Sequence, residues 1–271
     1  MFSRFIGGTN IRAAARRTAG AYYTPIFDYA RESSKNEDES WEYIHRLSAD
    51  LEQFPRGSAL ALKASSFAGN DMHLMYAIKR AVKNGIRTVF LDAESVSNYE
   101  KENTAYDKAV QAFNQNSTIC YKTYQMYRKS AIEDLLHDME SCPRLGIKLV
   151  RGAYYRQDAP TGALYQNKAS TDAAFDTAVR ASVAAIRSGA PHSLVIATHN
   201  DRSIDRALAL EPPRGSTSFA QLLGMNELAG RRIANEGYRV YKYVPYGGLT
   251  ETYPYLMRRL YENLDVLAHA R

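Results

Sequence analysis

Residues able to bind or transfer charge stand at the ends of short apolar runs in this sequence. Asp28 lies near the end of the run Ile26–Tyr29, and Lys63 sits inside the apolar stretch Ala59–Ala64. A third run, Thr88–Ala93, closes on Asp92 and is followed by Glu94, and a fourth, Thr118–Tyr124, leads into Gln125. The run Ile147–Val150 holds Lys148 and is followed by Arg151, Gly152 and Ala153. Leu194–Thr198 ends in Thr198, His199 and Asn200, Thr217–Leu222 passes Gln221, and Arg239–Val244 holds Tyr243. A charge buried in a strand without a partner costs several kcal/mol. A set of such groups at one end of the strands therefore points to a ligand. Lys63, Arg151 and the adjacent pair Arg258 and Arg259 are strong cations that an anionic ligand would satisfy: a carboxylate, a phosphate, or both. Arginines grip such groups bidentately. Gly152 after Arg151 would let backbone approach a phosphate closely.

Other chemistries find less support. There is no His-x-x-x-His pair and no cysteine cluster, so a metal centre is not expected. No Gly-x-Ser-x-Gly elbow suggests a serine hydrolase. Lys63 or Lys148 inside a barrel leaves a Schiff-base aldolase open, and a non-catalytic binding barrel is a further alternative.

Eight runs alternating with helical patterns must position these residues. Trp41, Ile44, Leu47, Leu51 and Phe54 step by three or four, as do Leu74, Ile78 and Val82, with Asp71 as the expected N-cap. Further stripes are Tyr106, Val110, Phe113; Ile132, Leu135, Leu136, Met139; and Phe175, Val179, Val183, Ile186. A last helix is expected from about Thr252 to Leu264, over the mouth of the site. The alternation predicts an α/β fold, a (β/α)8 barrel with its site at the C-terminal strand ends. An open doubly wound sheet is the alternative, but no Gly-x-Gly-x-x-Gly turn follows the first strand. Ser33–Ser40 and Gln157–Ser170 read as loops, the second as a mobile one.

At 271 residues, 45% hydrophobic and 24% charged, the chain suits one globular barrel. No apolar run reaches the 18 residues of a membrane span. Its net charge of +6 is mostly N-terminal. Residues 1–27 contain Arg4, Arg12, Arg16 and Arg17 with no acid and no lysine, leaving 31 basic against 29 acidic residues elsewhere. Residues 1–24 therefore read either as a mitochondrial targeting signal or as a basic first helix, with residues 25–271 as the barrel. Nucleic-acid binding is not expected, because no basic run interleaved with aromatics follows. Cys120 and Cys142 cannot build a disulfide framework.

Several of these segments resemble motifs of the proline dehydrogenases. They are Lys148-Leu149-Val150-Arg151-Gly152-Ala153-Tyr154, Ala197-Thr198-His199-Asn200 and Phe219-Ala220-Gln221-Leu222-Leu223-Gly224-Met225. Tyr241 to Gly247 and Pro254 to Asn263 resemble the family's eighth strand and final helix, in the eukaryotic form. Phe5 to Gly8, Phe27 to Ala30 and Leu62-Lys63 resemble its opening motifs, so the likeness spans the chain and places the barrel's start inside the apparent targeting segment. The resemblance implies a distorted FAD-binding barrel that oxidises L-proline and passes electrons to a membrane quinone. It also implies a mitochondrial location on the matrix side of the inner membrane, with peripheral association; a cytoplasmic location is the alternative. Carried over by motif, Arg258, Arg259 and Lys63 would hold the proline carboxylate. Tyr243 and Tyr255 would pack on the ring, and Asp28 and Tyr154 would complete the pocket. Lys148 and Gln125 would sit beside the flavin ring, and Arg151, Gly152, Ala153, Thr198, His199 and Asn200 along the rest of the cofactor. A cationic surround would lower the pKa of the substrate amine. Hydroxyproline oxidation is the near alternative; the bulk of Tyr243 would crowd a 4-hydroxyl and favours proline.

Overall fold

The computed structural model describes residues 2–31, 33–248 and 252. Eight parallel strands pair in chain order, and β8 returns to β1 to close the barrel. The strands are β1 (Thr24–Tyr29), β2 (Ala59–Lys63), β3 (Val89–Asp92), β4 (Cys120–Gln125), β5 (Gly146–Val150), β6 (Ser193–Ala197), β7 (Thr217–Leu222) and β8 (Arg239–Tyr246). The helices are α1 (Ile11–Thr18), α2 (Glu37–Leu51), α3 (Asp71–Lys83), α4 (Tyr99–Phe113), α5 (Ala131–Ser141), α6 (Tyr155–Asp158), α7 (Lys168–Arg187), α8 (Asp201–Ala209) and α9 (Glu227–Asn235). The barrel expected from the alternation is thus the observed fold, and each expected run overlaps its strand.

Period-two alternation divides the strand residues between two cores. Inside the barrel, Ile26, Ala59, Ala61, Phe90, Val195, Ala220, Tyr241 and Tyr243 pack together. Small alanines make room for large rings, and Phe90 meets Tyr241 edge-on at 5.5 Å between centroids. Outside, Leu60, Leu62, Leu91, Ile147, Leu149, Ile196, Phe219 and Val244 face the helices.

Helix starts depart from one expectation. Asn70, rather than Asp71, caps α3, its side chain accepting from the backbone N–H groups of Met72 and His73. Asn10, Asn36, Asn167, Asn200 and Asn226 cap α1, α2, α7, α8 and α9 in the same way. Asparagine suits this place because its short amide reaches an unpaired N–H of the first turn. The segment 157–170 is also more ordered than a mobile loop. It holds the end of α6, a 3-10 turn at Ala159–Thr161 and the start of α7. It is pinned by the fully buried Asp158, which accepts from Ser95 Oγ at 2.6 Å, Val96 N at 3.1 Å and Tyr127 Oη at 2.5 Å.

The basic N-terminal segment is built into the fold. Gly8 bridges to Tyr246, the last residue of β8, and Gly7 N donates to Pro245 O at 2.8 Å. From there α1 packs on the outer face of β8, with Ile11 and Ala14 fully buried. Phe5 and Ile6 reach the interior cluster. The last helix expected from about Thr252 lies outside the described residues beyond Thr252 itself.

Candidate active site

Inward positions become polar where the strands reach their C-terminal ends. Following Ile26, Ala61, Phe90 and Tyr241 by one period, the chain places Asp28, Lys63, Asp92 and Tyr243 at the mouth. Lys148 and Gln125 join them from β5 and β4. All six are at least nine-tenths buried except Asp92, which is partly exposed.

These groups form two linked ion pairs. Lys63 Nζ donates to both carboxylate oxygens of Asp28, at 2.8 and 2.9 Å. Lys148 Nζ donates to Asp92 Oδ1 at 2.5 Å, and Tyr243 Oη donates to Asp92 Oδ2 at 2.7 Å. Lys63 Nζ also lies 3.5 Å from Tyr243 Oη, which joins the pairs. Burial pushes the Asp28 carboxyl up in spite of Lys63. Burial acts the same way on Asp92, but Lys148 and then Lys63 outweigh it and hold Asp92 below the usual carboxylate range.

A second group lies at the ends of β5 and β6. The Arg151 guanidinium donates to Asp172 Oδ1 at 2.5 Å, Thr198 Oγ1 at 2.6 Å and Ser203 Oγ at 2.9 Å, and stacks 4.4 Å from the Phe175 ring centroid. The cations of the described mouth are therefore neutralised by Asp28, Asp92 and Asp172. This corrects the reading of an unpaired cationic cluster: the polar set is ion-paired before any ligand arrives.

Gly152 has φ +140°, and a Cβ there would collide with the ring of Tyr127. The observed need for glycine is thus Tyr127, rather than a phosphate. Ala153 N donates to Gln125 Oε1 at 3.1 Å, while Gln125 Nε2 donates to Glu94 O at 2.7 Å, so this amide ties three strand ends together. Tyr154 precedes α6 and is half-buried. The Asn200 side chain is used as the cap of α8, accepting from Ser203 N at 3.2 Å. Gln221 points outward instead, accepting from Lys242 Nζ at 2.8 Å. Tyr255, Arg258 and Arg259 lie outside the described residues.

His199 carries an unmet buried hydrogen-bonding group beside this set. Its Nε2 accepts from Leu222 N at 3.2 Å, so in the neutral ring Nδ1 carries the proton. Burial, then Lys242 and Arg151, lower its pKa to about 3, so the ring is neutral at ordinary pH. The buried Nδ1 has no hydrogen-bond partner. An unpaired buried donor costs about 1–3 kcal/mol, which a ligand acceptor would recover.

A model of the proline dehydrogenase family matches residues 11–270. The chain belongs to the proline dehydrogenase family. Among relatives of this family member, hydroxyproline dehydrogenase of Xenopus laevis is 31% identical over 242 residues, 77% of this chain and 51% of that protein. Mitochondrial proline dehydrogenase 1 of Homo sapiens is 30% identical over 206 residues, 70% of this chain and 34% of that protein. The chain thus spans about half, or less, of the length of these relatives. The fold of this family member also matches the crystal structure of proline utilization A from Bdellovibrio bacteriovorus, with a TM-score of 0.86 and 21% identity over 97% of this chain and 32% of that one.

Sequence reasoning brings Lys63, Lys148, Arg151 and Tyr243 into the site but leaves out the carboxylates that hold three of them, Asp92 for Lys148 and Tyr243 and Asp172 for Arg151. Asp92 was visible at the end of its run, yet nothing local tied it to Lys148, 56 residues away. Asp172 lies on α7, where its helical spacing reads as a solvated face.

Proposed function

We propose that this chain oxidises L-proline to Δ1-pyrroline-5-carboxylate with FAD, and that the electrons pass to a membrane quinone at the matrix side of the mitochondrial inner membrane. FAD would supply the hydride acceptor. The observation that carries the reading is the joined set Asp28–Lys63–Tyr243–Asp92–Lys148 at the C-terminal end of a barrel of this family. Membership of the family and the mitochondrial name of the human relative support it.

The fixed positions of the described residues support the roles proposed for them, and the family resemblance supports those of Tyr255, Arg258 and Arg259. Lys63 keeps its ammonium at the mouth through Asp28, ready to take the substrate carboxylate together with Arg258 and Arg259. The hydroxyl of Tyr243 is held by Asp92, which fixes the ring as one wall of the substrate pocket. Such positioning is the main contribution a protein makes to a transfer performed by its cofactor. Gln125 and Lys148 offer donors to the polar edge of a flavin, and His199 Nδ1–H offers one farther along the cofactor. Arg151, with Gly152, Ala153, Thr198 and Asn200, would follow the rest of the cofactor. Tyr154 and Tyr255 would close the pocket over the ring.

Hydroxyproline is the second reading, and the Xenopus laevis relative favours it. The tether of Tyr243 to Asp92 favours proline, because a held ring cannot swing aside for a 4-hydroxyl. Anaerobic absorbance spectra with L-proline and with trans-4-hydroxy-L-proline test both. Bleaching of a flavin band by proline at lower concentration than by hydroxyproline is expected. A flavin band that neither compound bleaches, or a protein without flavin, overturns the proposal.

A further inference from the structure

The inward positions at the opposite, N-terminal end of the barrel are also polar. Packed barrels fill this end with branched aliphatic side chains, and it contributes stability. Here Tyr121, Ser193, Ser218 and Arg239 occupy it, below Tyr241. With Arg214 from the connection before β7 they line a cavity of about 490 Å³. That volume lies within the range of small-molecule sites.

Both arginines present guanidinium groups without a carboxylate partner among the described residues. Arg239 Nη1 donates to Tyr241 Oη at 3.3 Å, and no acid is among the groups acting on it. Arg214 Nε donates to Glu236 O at 2.9 Å, and its guanidinium lies 5.4 Å from the Tyr238 ring centroid. No aspartate or glutamate is among the described residues lining the cavity. Glu227, which meets Tyr22 of the wall, is already engaged by Lys242 at 3.2 Å and by the hydroxyl of Tyr22 at 2.8 Å, while Glu236 and Glu211 act on Tyr238 without forming an ion pair with either arginine among the described residues. This contrasts with the opposite mouth, where Lys63, Lys148 and Arg151 each have a carboxylate.

We propose that this floor cavity binds a phosphate-bearing anion of mononucleotide size. Two guanidiniums with the hydroxyl of Ser218 offer more donors than the two oxygens of a carboxylate can accept, and suit the three oxygens of a phosphate monoester; the Ser193 hydroxyl gives its proton to Thr118 Oγ1 at 3.2 Å. The half-buried rings of Tyr22 and Tyr121 provide an apolar wall for the organic part. The site is separate from the redox mouth. Tyr243 stands four residue steps along β8 from Arg239, about 13 Å of strand, and the Phe90 ring fills the interior between Tyr241 and Lys148.

Calorimetric titration of the flavin-loaded full chain tests this, with AMP, inorganic phosphate and adenosine as probes. Loading with flavin keeps AMP out of the cofactor path. AMP is expected to bind at least ten times more tightly than phosphate or adenosine. Arg239→Gln and, separately, Arg214→Gln should each weaken AMP about tenfold, the loss of one charge-assisted contact, with an unchanged melting temperature. Arg214 is exposed, so its variant keeps the test valid if Arg239→Gln disturbs the strand. AMP binding that both variants leave intact, or no binding at millimolar AMP, overturns the proposal. Phosphate binding as tightly as AMP overturns its mononucleotide part.

Discussion

Asp92 accepts from the Lys148 ammonium through one carboxylate oxygen and from the Tyr243 hydroxyl through the other. Removing its charge would leave Lys148 facing a neutral amide in a mostly buried setting and loosen the Tyr243 ring. Hydrogen bonds to charged groups contribute about 1.5–3 kcal/mol each, so Asp92→Asn should lower kcat/KM for L-proline by about 10- to 100-fold. Steady-state kinetics with flavin content measured in parallel checks this. Wild-type kcat/KM in a flavin-replete variant would show that Asp92 does not position the site.

The helix α4 carries a carboxyl group that is buried against another. Glu102 Oε2 accepts from Glu94 N at 3.0 Å, while its Oε1 is buried without a partner. Burial, and then the charge of Glu94, raise its pKa from 4.5 to about 8. Between those values the folded chain holds a proton that the unfolded chain releases. The resulting stability is complete below about pH 4.5 and is lost as pH rises through about 8. Glu102→Gln keeps the neutral form at every pH, so its denaturation midpoint should fall less between pH 5 and pH 8 than that of the wild type. Urea unfolding at the two pH values measures the difference. Equal falls would place the sensitivity on another group. The neighbouring elements meet on the same network: Glu94 also accepts from Ser65 N and Oγ, which anchors the turn after β2.

At the scale of the whole molecule, closure depends on the N-terminal segment. The outer face of β8 is covered by α1, and β8 is the strand that closes the barrel on β1. Ile11 is 1% exposed there. Truncating a buried isoleucine to alanine costs about 2–5 kcal/mol, so Ile11→Ala should lower the unfolding free energy by that amount and weaken flavin retention with it. Thermal unfolding and the absorbance ratio of flavin to protein check both. A loss under about 0.5 kcal/mol, the size of a surface change, would mean that α1 contributes little. The same segment reads as a targeting signal in composition, because arginines spaced along an amphipathic helix serve either purpose. The burial of Ile11 and Ala14 shows what the apolar side of that helix does in the folded chain.

The order and type of the elements were legible in the chain, because parallel strands buried on both faces must be short apolar runs and their covering helices must carry stripes. The inward residues at the strand ends were legible for the same reason: Lys63 and Lys148 stand out only against apolar neighbours. Helix starts were less so, since Asn70 and Asp71 are both good caps and only backbone geometry separates them. What tertiary structure alone decided was partnership. Asp28 with Lys63, Asp92 with Lys148 and Asp172 with Arg151 are joined across 35, 56 and 21 residues. Such pairs leave no periodic trace, because barrel closure rather than local spacing brings them within reach. The same holds for Gly152, whose neighbour Tyr127 comes from another strand end, and for the arginines of the floor, of which Arg239 is turned inward by the alternation of β8 and Arg214 is brought beside it by the loop before β7.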